Sequence, residues 1–89
     1  MLLMPTKSQH NTTYRKLLPL LKKMREDAGL SQQALGRKLR KPQNWVFRSE
    51  TGGRRIDVAE VAAWAVACGV DSVKAYQDFV GETSIVNRI

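Results

Sequence analysis

Apolar residues return every three or four positions along most of this chain, and no stretch alternates with period two over enough residues to make a strand. Leu17, Leu18, Leu21, Met24 and Ala28 mark the inner stripe of a first helix. Pro19 lacks an amide donor and clashes with the turn before it, so it fits only a first turn. The helix therefore starts close to Lys16–Leu18 and closes at Gly29. Ser31 is suited to cap a second helix over Gln32 to Leu39, with Leu35 and Leu39 on one face. Pro42 interrupts the pattern, and Gln43 to Thr51 reads as a third helix with Val46 inward, stopped by Gly52-Gly53. Asp57 can cap a fourth whose stripe is Val58, Val61, Trp64, Ala65 and Cys68, ended by Gly69. Asp71 or Ser72 caps a fifth, with Val73, Tyr76 and Val80 or Phe79 inward and Gly81 as its stop. The pattern predicts five short helices and an all-α fold.

Residues 1 to 13 contain Pro5 and show no helical period, so residues 1–15 are expected to form a flexible arm, 16–81 the folded domain and 82–89 a tail. Eighty-nine residues make one domain, and a chain of this length buries only about 60% of its unfolded surface, which leaves little room for an enclosed cleft. One cysteine cannot form an intramolecular disulfide and, with one histidine, cannot complete a four-ligand zinc site. No cofactor or metal is expected. No apolar run approaches the roughly 18 residues of a membrane span, and Met1 to Pro5 is too short for a signal-peptide core. These features predict a cytoplasmic protein with no membrane partner, standing on packing alone.

Charge narrows the partners. The net charge of +7 is divided unevenly, with +10 over residues 1–55 and −3 over residues 56–89. A domain that presents one face to phosphates has this division, and a uniformly solubilised surface does not. Catalysis fails on inventory: His10 lies in the expected arm, no Ser or Cys has a base beside it in the pattern, and there is no Gly-rich phosphate loop. The expectation is a binding protein, not an enzyme.

The second and third helices, joined by Arg40-Lys41-Pro42, have the spacing of a helix-turn-helix. At Gly29-Leu-Ser-Gln-Gln-Ala-Leu-Gly-Arg-Lys-Leu39, Pro42-Gln-Asn-Trp-Val46, Glu50-Thr-Gly52 and Arg54-Arg-Ile-Asp57, the chain resembles the phage-repressor-like (XRE-type) helix-turn-helix family. The resemblance covers about residues 20–80 and implies a compact five-helix lambda-repressor-like domain that binds double-stranded DNA. It places Gly36 where the two helices of the motif touch, so a side chain larger than methyl there would force them apart. It implies that Gln32 meets a DNA phosphate from a helix N-terminus and that Arg25 and Glu50 form a structural salt bridge. Gln43, Asn44, Phe47 and Arg48 then form the base-reading face, with Gln and Asn suited to adenine, Arg to guanine and Phe to a thymine methyl. Lys41, Trp45, Arg54 and Arg55 flank it as backbone contacts, Trp45 serving equally as packing between helices.

Three residues depart from the family pattern. Arg40 takes a turn position usually given to Gly, Ser49 replaces an apolar residue at a core-facing site, and Phe47 replaces a small or polar residue at an exposed one. The last two leave open a rotated third helix that buries Phe47, and Pro42 can reshape the turn around Arg40. The expected function is a repressor-like, sequence-specific transcriptional regulator associated with the nucleoid. It would act as a homodimer paired through the fifth helix and the tail, where Phe79, Ile85, Val86 and Ile89 are apolar. The alternative is an antitoxin-like or adaptor protein that chiefly holds a protein partner, with DNA binding secondary.

Overall fold

The computed structural model describes residues 12–83, with side chains described as far as Gly81. Most of the expected arm and the tail residues 84–89, including Ile85, Val86 and Ile89, lie outside the described residues. The fold is all-α: α1 (Thr12–Arg15), α2 (Leu17–Asp27), α3 (Gln32–Leu39), α4 (Gln43–Thr51), α5 (Val58–Ala67) and α6 (Ser72–Thr83). The five expected helices are α2 to α6, and α3 and α4 carry the bounds read from the sequence.

The extra turn, α1, moves the arm's expected boundary. Tyr14 is only 7% exposed and packs on Leu17, Leu18 and Ile56, while its hydroxyl accepts the Ile56 N–H at 2.7 Å. A lone aromatic among threonines gives no periodic signal, and its partner lies 42 residues away.

The remaining helices begin and end on local chemistry. Pro19 sits in the first turn of α2 as expected, and Ala28 is the exposed C-cap rather than part of the inner stripe. The Ser31 hydroxyl accepts the Ala34 N–H at 3.0 Å to cap α3. Asp57 and Glu60 form a full capping box on α5, and the Asp71 carboxylate accepts the Val73 N–H at 2.8 Å at the start of α6. Beneath them Leu21, Leu35, Val46 and Trp64 are fully buried, and the Trp64 indole N–H donates to the Leu21 carbonyl oxygen at 3.0 Å.

The helix-turn-helix geometry rests on two backbone constraints. Arg40 stands at φ 58° and ψ 42°, the one non-glycine residue at positive φ among the described residues. The turn is thus not reshaped to spare it, and the left-handed conformation costs about 1–2 kcal/mol. The Lys41 N–H then reaches the Gly36 carbonyl oxygen at 2.8 Å. In this turn a Cβ on Gly36 would stand 2.6 Å from the Lys41 carbonyl oxygen. The constraint is stricter than the sequence implied, because even a methyl group does not fit.

Two expected inner stripes are corrected. Val58 is 75% exposed on the first turn of α5. On α6, Val73 and Tyr76 are 64% and 54% exposed, while Ala75 is buried and Phe79 packs partly on the core. Close approach selects the small residue for the contact face, so the bulkier apolar residues beside it turn outward. The helix also runs past Gly81, its expected stop, to Thr83.

Gly36→Ala should lower stability by about 1–3 kcal/mol through overpacking, although Ala is otherwise the better helix residue. Gly81→Ala, with open space around its added methyl, should raise stability by about 0.5–1 kcal/mol. Urea unfolding of both variants checks the opposite signs.

Candidate nucleic-acid interface

The two faces of α4 differ sharply. Val46, Ser49 and Glu50 are buried, whereas Gln43, Asn44, Phe47 and Arg48 are exposed together on the other side. Phe47 is 46% exposed, so α4 has not rotated to bury it. The exposed face carries the side-chain types that pair with base edges, at the spacing one helix face provides.

Glu50 fixes this face to the rest of the domain. Arg25 Nε and Nη2 donate to Glu50 Oε2 and Oε1 at 2.6 and 3.1 Å, and Arg25 Nη1 donates to the Leu30 carbonyl oxygen at 2.9 Å. Both residues are buried. Hydrogen bonding to Glu50 raises the Arg25 pKa above its ordinary value, against the desolvation that opposes it. Gln32 Nε2 also donates to Glu50 Oε1 at 3.1 Å, and Gln43 Nε2 donates to Gln32 Oε1 at 3.1 Å. Gln32, expected at a phosphate, thus bridges the buried ion pair and the first residue of the exposed face. Arg48 reaches along the helix end, where its Nη2 donates to the Gly53 carbonyl oxygen at 2.8 Å.

The flanking residues divide. Lys41 and Arg55 are exposed, with Lys41 Nζ 5.4 Å from the Trp45 ring centroid and the Arg55 guanidinium 4.3 Å from the Tyr14 centroid. Trp45 is half-buried and packs against Trp64 at 6.1 Å between ring centroids, so of its two expected roles the structure displays packing. Arg54 is half-buried and pairs with Glu60 at 3.1 Å, its guanidinium held within the fold instead of standing clear of it. Sequence reasoning missed Arg15, which α1 brings against Gly52 at the end of α4: a Cβ there would stand 2.7 Å from Arg15 Nη1. It also missed the partners of Arg54, which periodicity does not mark. Arg37, Lys38 and Arg40 add further exposed positive charge on α3 and the turn.

Cys68 belongs to the core, where burial pushes its thiol pKa up and the Arg25 charge offsets only part of that shift. Among the described residues no group of three or more His, Cys, Asp or Glu side chains could hold a metal ion. No described helix is long and apolar enough to cross a membrane.

Residues 17–75 match the helix-turn-helix domain family. The fold is similar to that of an XRE-family like protein from Pseudomonas syringae pv. tomato str. DC3000, with a TM-score of 0.75 and 32% identity over 83% of this chain and 90% of that one. No curated protein matches the chain. The chain belongs to the XRE-type helix-turn-helix family, a membership that supports a DNA-binding regulator.

Removing one member of a buried ion pair strands the other charge. Glu50→Ala should therefore cost about 3–5 kcal/mol, whereas Asp27→Ala, which removes the exposed Lys23–Asp27 pair, should leave stability nearly unchanged. Chemical denaturation of the two variants measures the contrast.

Proposed function

We propose that the protein is a sequence-specific, repressor-like transcriptional regulator that lays α4 in the major groove of double-stranded DNA. The observation that carries this reading is the exposed face of Gln43, Asn44, Phe47 and Arg48, anchored through Gln32 and Glu50 and set in the basic half of the chain. In this reading Gln43 and Asn44 bond adenine, Arg48 leaves Gly53 for guanine, and Phe47 meets a thymine methyl. Gln32, Lys41 and Arg55 contact the phosphate backbone, which supplies sequence-independent attraction.

One such helix reads few base pairs, so tight binding calls for two copies on half-sites about 34 Å apart. Support for a homodimer comes from α6, where Val73 and Tyr76 are exposed on the half of the chain whose net charge is −3. The protein would then work on the nucleoid in the cytoplasm, without chemistry of its own.

Selection from a random duplex library should return two copies of a short motif whose centres lie about 10–10.5 base pairs apart. On the selected site Gln43→Ala and Arg48→Ala should each cost about 1–3 kcal/mol and relax preference at one or two base pairs. Lys41→Ala should weaken selected and random duplexes alike and lower the slope of log K against log salt by about one unit. Equal weakening of every duplex by Gln43→Ala and Arg48→Ala would remove α4 as the reading element.

A further inference from the structure

Arg54 occupies the turn between α4 and α5 and touches both helices. Ser49 is fully buried on the inner face of α4, and its hydroxyl donates to the Trp45 carbonyl oxygen at 2.7 Å. The same hydroxyl accepts from Arg54 Nη1 at 3.1 Å. Arg54 Nη2 donates to both carboxylate oxygens of Glu60, at 3.1 and 3.2 Å. Glu60 is itself fixed, because its Oε1 accepts the Asp57 N–H at 3.0 Å within the capping box that opens α5. The guanidinium carbon lies 4.5 Å from the Trp45 ring centroid, over a ring that packs on the fully buried Trp64.

The arrangement has the chemistry of a relay. A buried serine that bonds the carbonyl one turn back tends to bend its helix, and a buried hydroxyl needs a partner for its own oxygen. Arg54 supplies that partner and carries the connection to the first turn of α5 through a planar fork that a lysine cannot reproduce. With Nη1 and Nη2 both engaged and the side chain 23% exposed, Arg54 is built to hold helices, not to reach a phosphate.

We infer that Arg54 is a positioning residue, and that the Ser49–Arg54–Glu60 relay sets the angle at which α4 presents Gln43, Asn44, Phe47 and Arg48. The relay then governs selectivity among duplexes, and the exposed lysine and arginines govern attraction to the backbone. This inference rests on the DNA-reading function proposed above.

The test measures binding of the full chain to its selected duplex and to a random duplex across a salt series, at a temperature where circular dichroism shows each variant folded. The variants are Arg54→Ala, Arg54→Lys, Ser49→Ala, Glu60→Ala and the double Ser49→Ala/Arg54→Ala. Each single variant should lower the selected-to-random ratio by about tenfold, and the double variant should lose no more than Arg54→Ala alone. The salt slope should stay that of the wild type. A lysine at 54 keeps the charge but not the fork, so its loss should match that of alanine. The inference is overturned if Arg54→Lys binds like the wild type, if Arg54→Ala lowers the slope by about one unit, or if Ser49→Ala leaves the ratio unchanged. If the wild type prefers no duplex, the proposed function fails separately, and amide hydrogen exchange of α4 decides on the relay. Faster exchange at residues 45–50 in both Arg54→Lys and Glu60→Ala upholds it, and unchanged exchange overturns it.

Discussion

The buried ion pair of Arg25 and Glu50 is the interaction on which the rest of this small domain depends. It joins the last turn of α2 to the last turn of α4, and a third donor of Arg25 satisfies the Leu30 carbonyl in the loop that leads to α3. Two helices and the loop that leads to a third thus meet at one guanidinium. Burying two charges is costly, and such a pair is tolerated only where geometry is good and the remaining donors and acceptors find partners. Gln32 completes that requirement and extends the network outward to Gln43. The first side chain of the exposed face is therefore connected by hydrogen bonds to the buried ion pair.

Around this pair, α4 is fixed by unlike contacts on its other sides. Val46 enters the core beside Leu35 and Trp64, and the Gly36–Lys41 approach sets how closely α3 and α4 can lie. Ser49 and Arg54 join α4 to α5 by hydrogen bonds where a larger domain would use more apolar surface. A short chain has little such surface to bury, and directional bonds define an angle that a few methyl contacts would leave loose. The outward face, by contrast, is left to polar side chains and one phenylalanine.

Features that depend on neighbours in the chain were legible in the sequence. Ser31, Pro42 and the Gly52-Gly53 stop mark the ends of α3 and α4, and the resemblance paired Arg25 with Glu50 from residues 25 positions apart. What could not be read depends on distant partners or on packing distance. Tyr14 belongs to the fold because of the Ile56 amide, and Arg54 turns inward because of Ser49 and Glu60. The α6 stripe misled because hydrophobicity ranks Val73 and Tyr76 above Ala75, whereas close helix contact favours the smaller side chain. Phe47 was open to either placement, and the buried Ser49 hydroxyl with its two partners decided it by keeping the serine face inward.

In the proposed function α4, held from behind by Glu50 and Gln32, is the surface that meets DNA. A nuclear magnetic resonance titration of the labelled protein with its selected duplex locates that surface, because each backbone amide reports its own environment. The largest shifts should fall at Gln32 and at residues 43–48, with little change along α2 and α6 beyond the pairing surface. Shifts concentrated on α6 or α1, with α4 unchanged at saturation, would place the DNA contact on another surface.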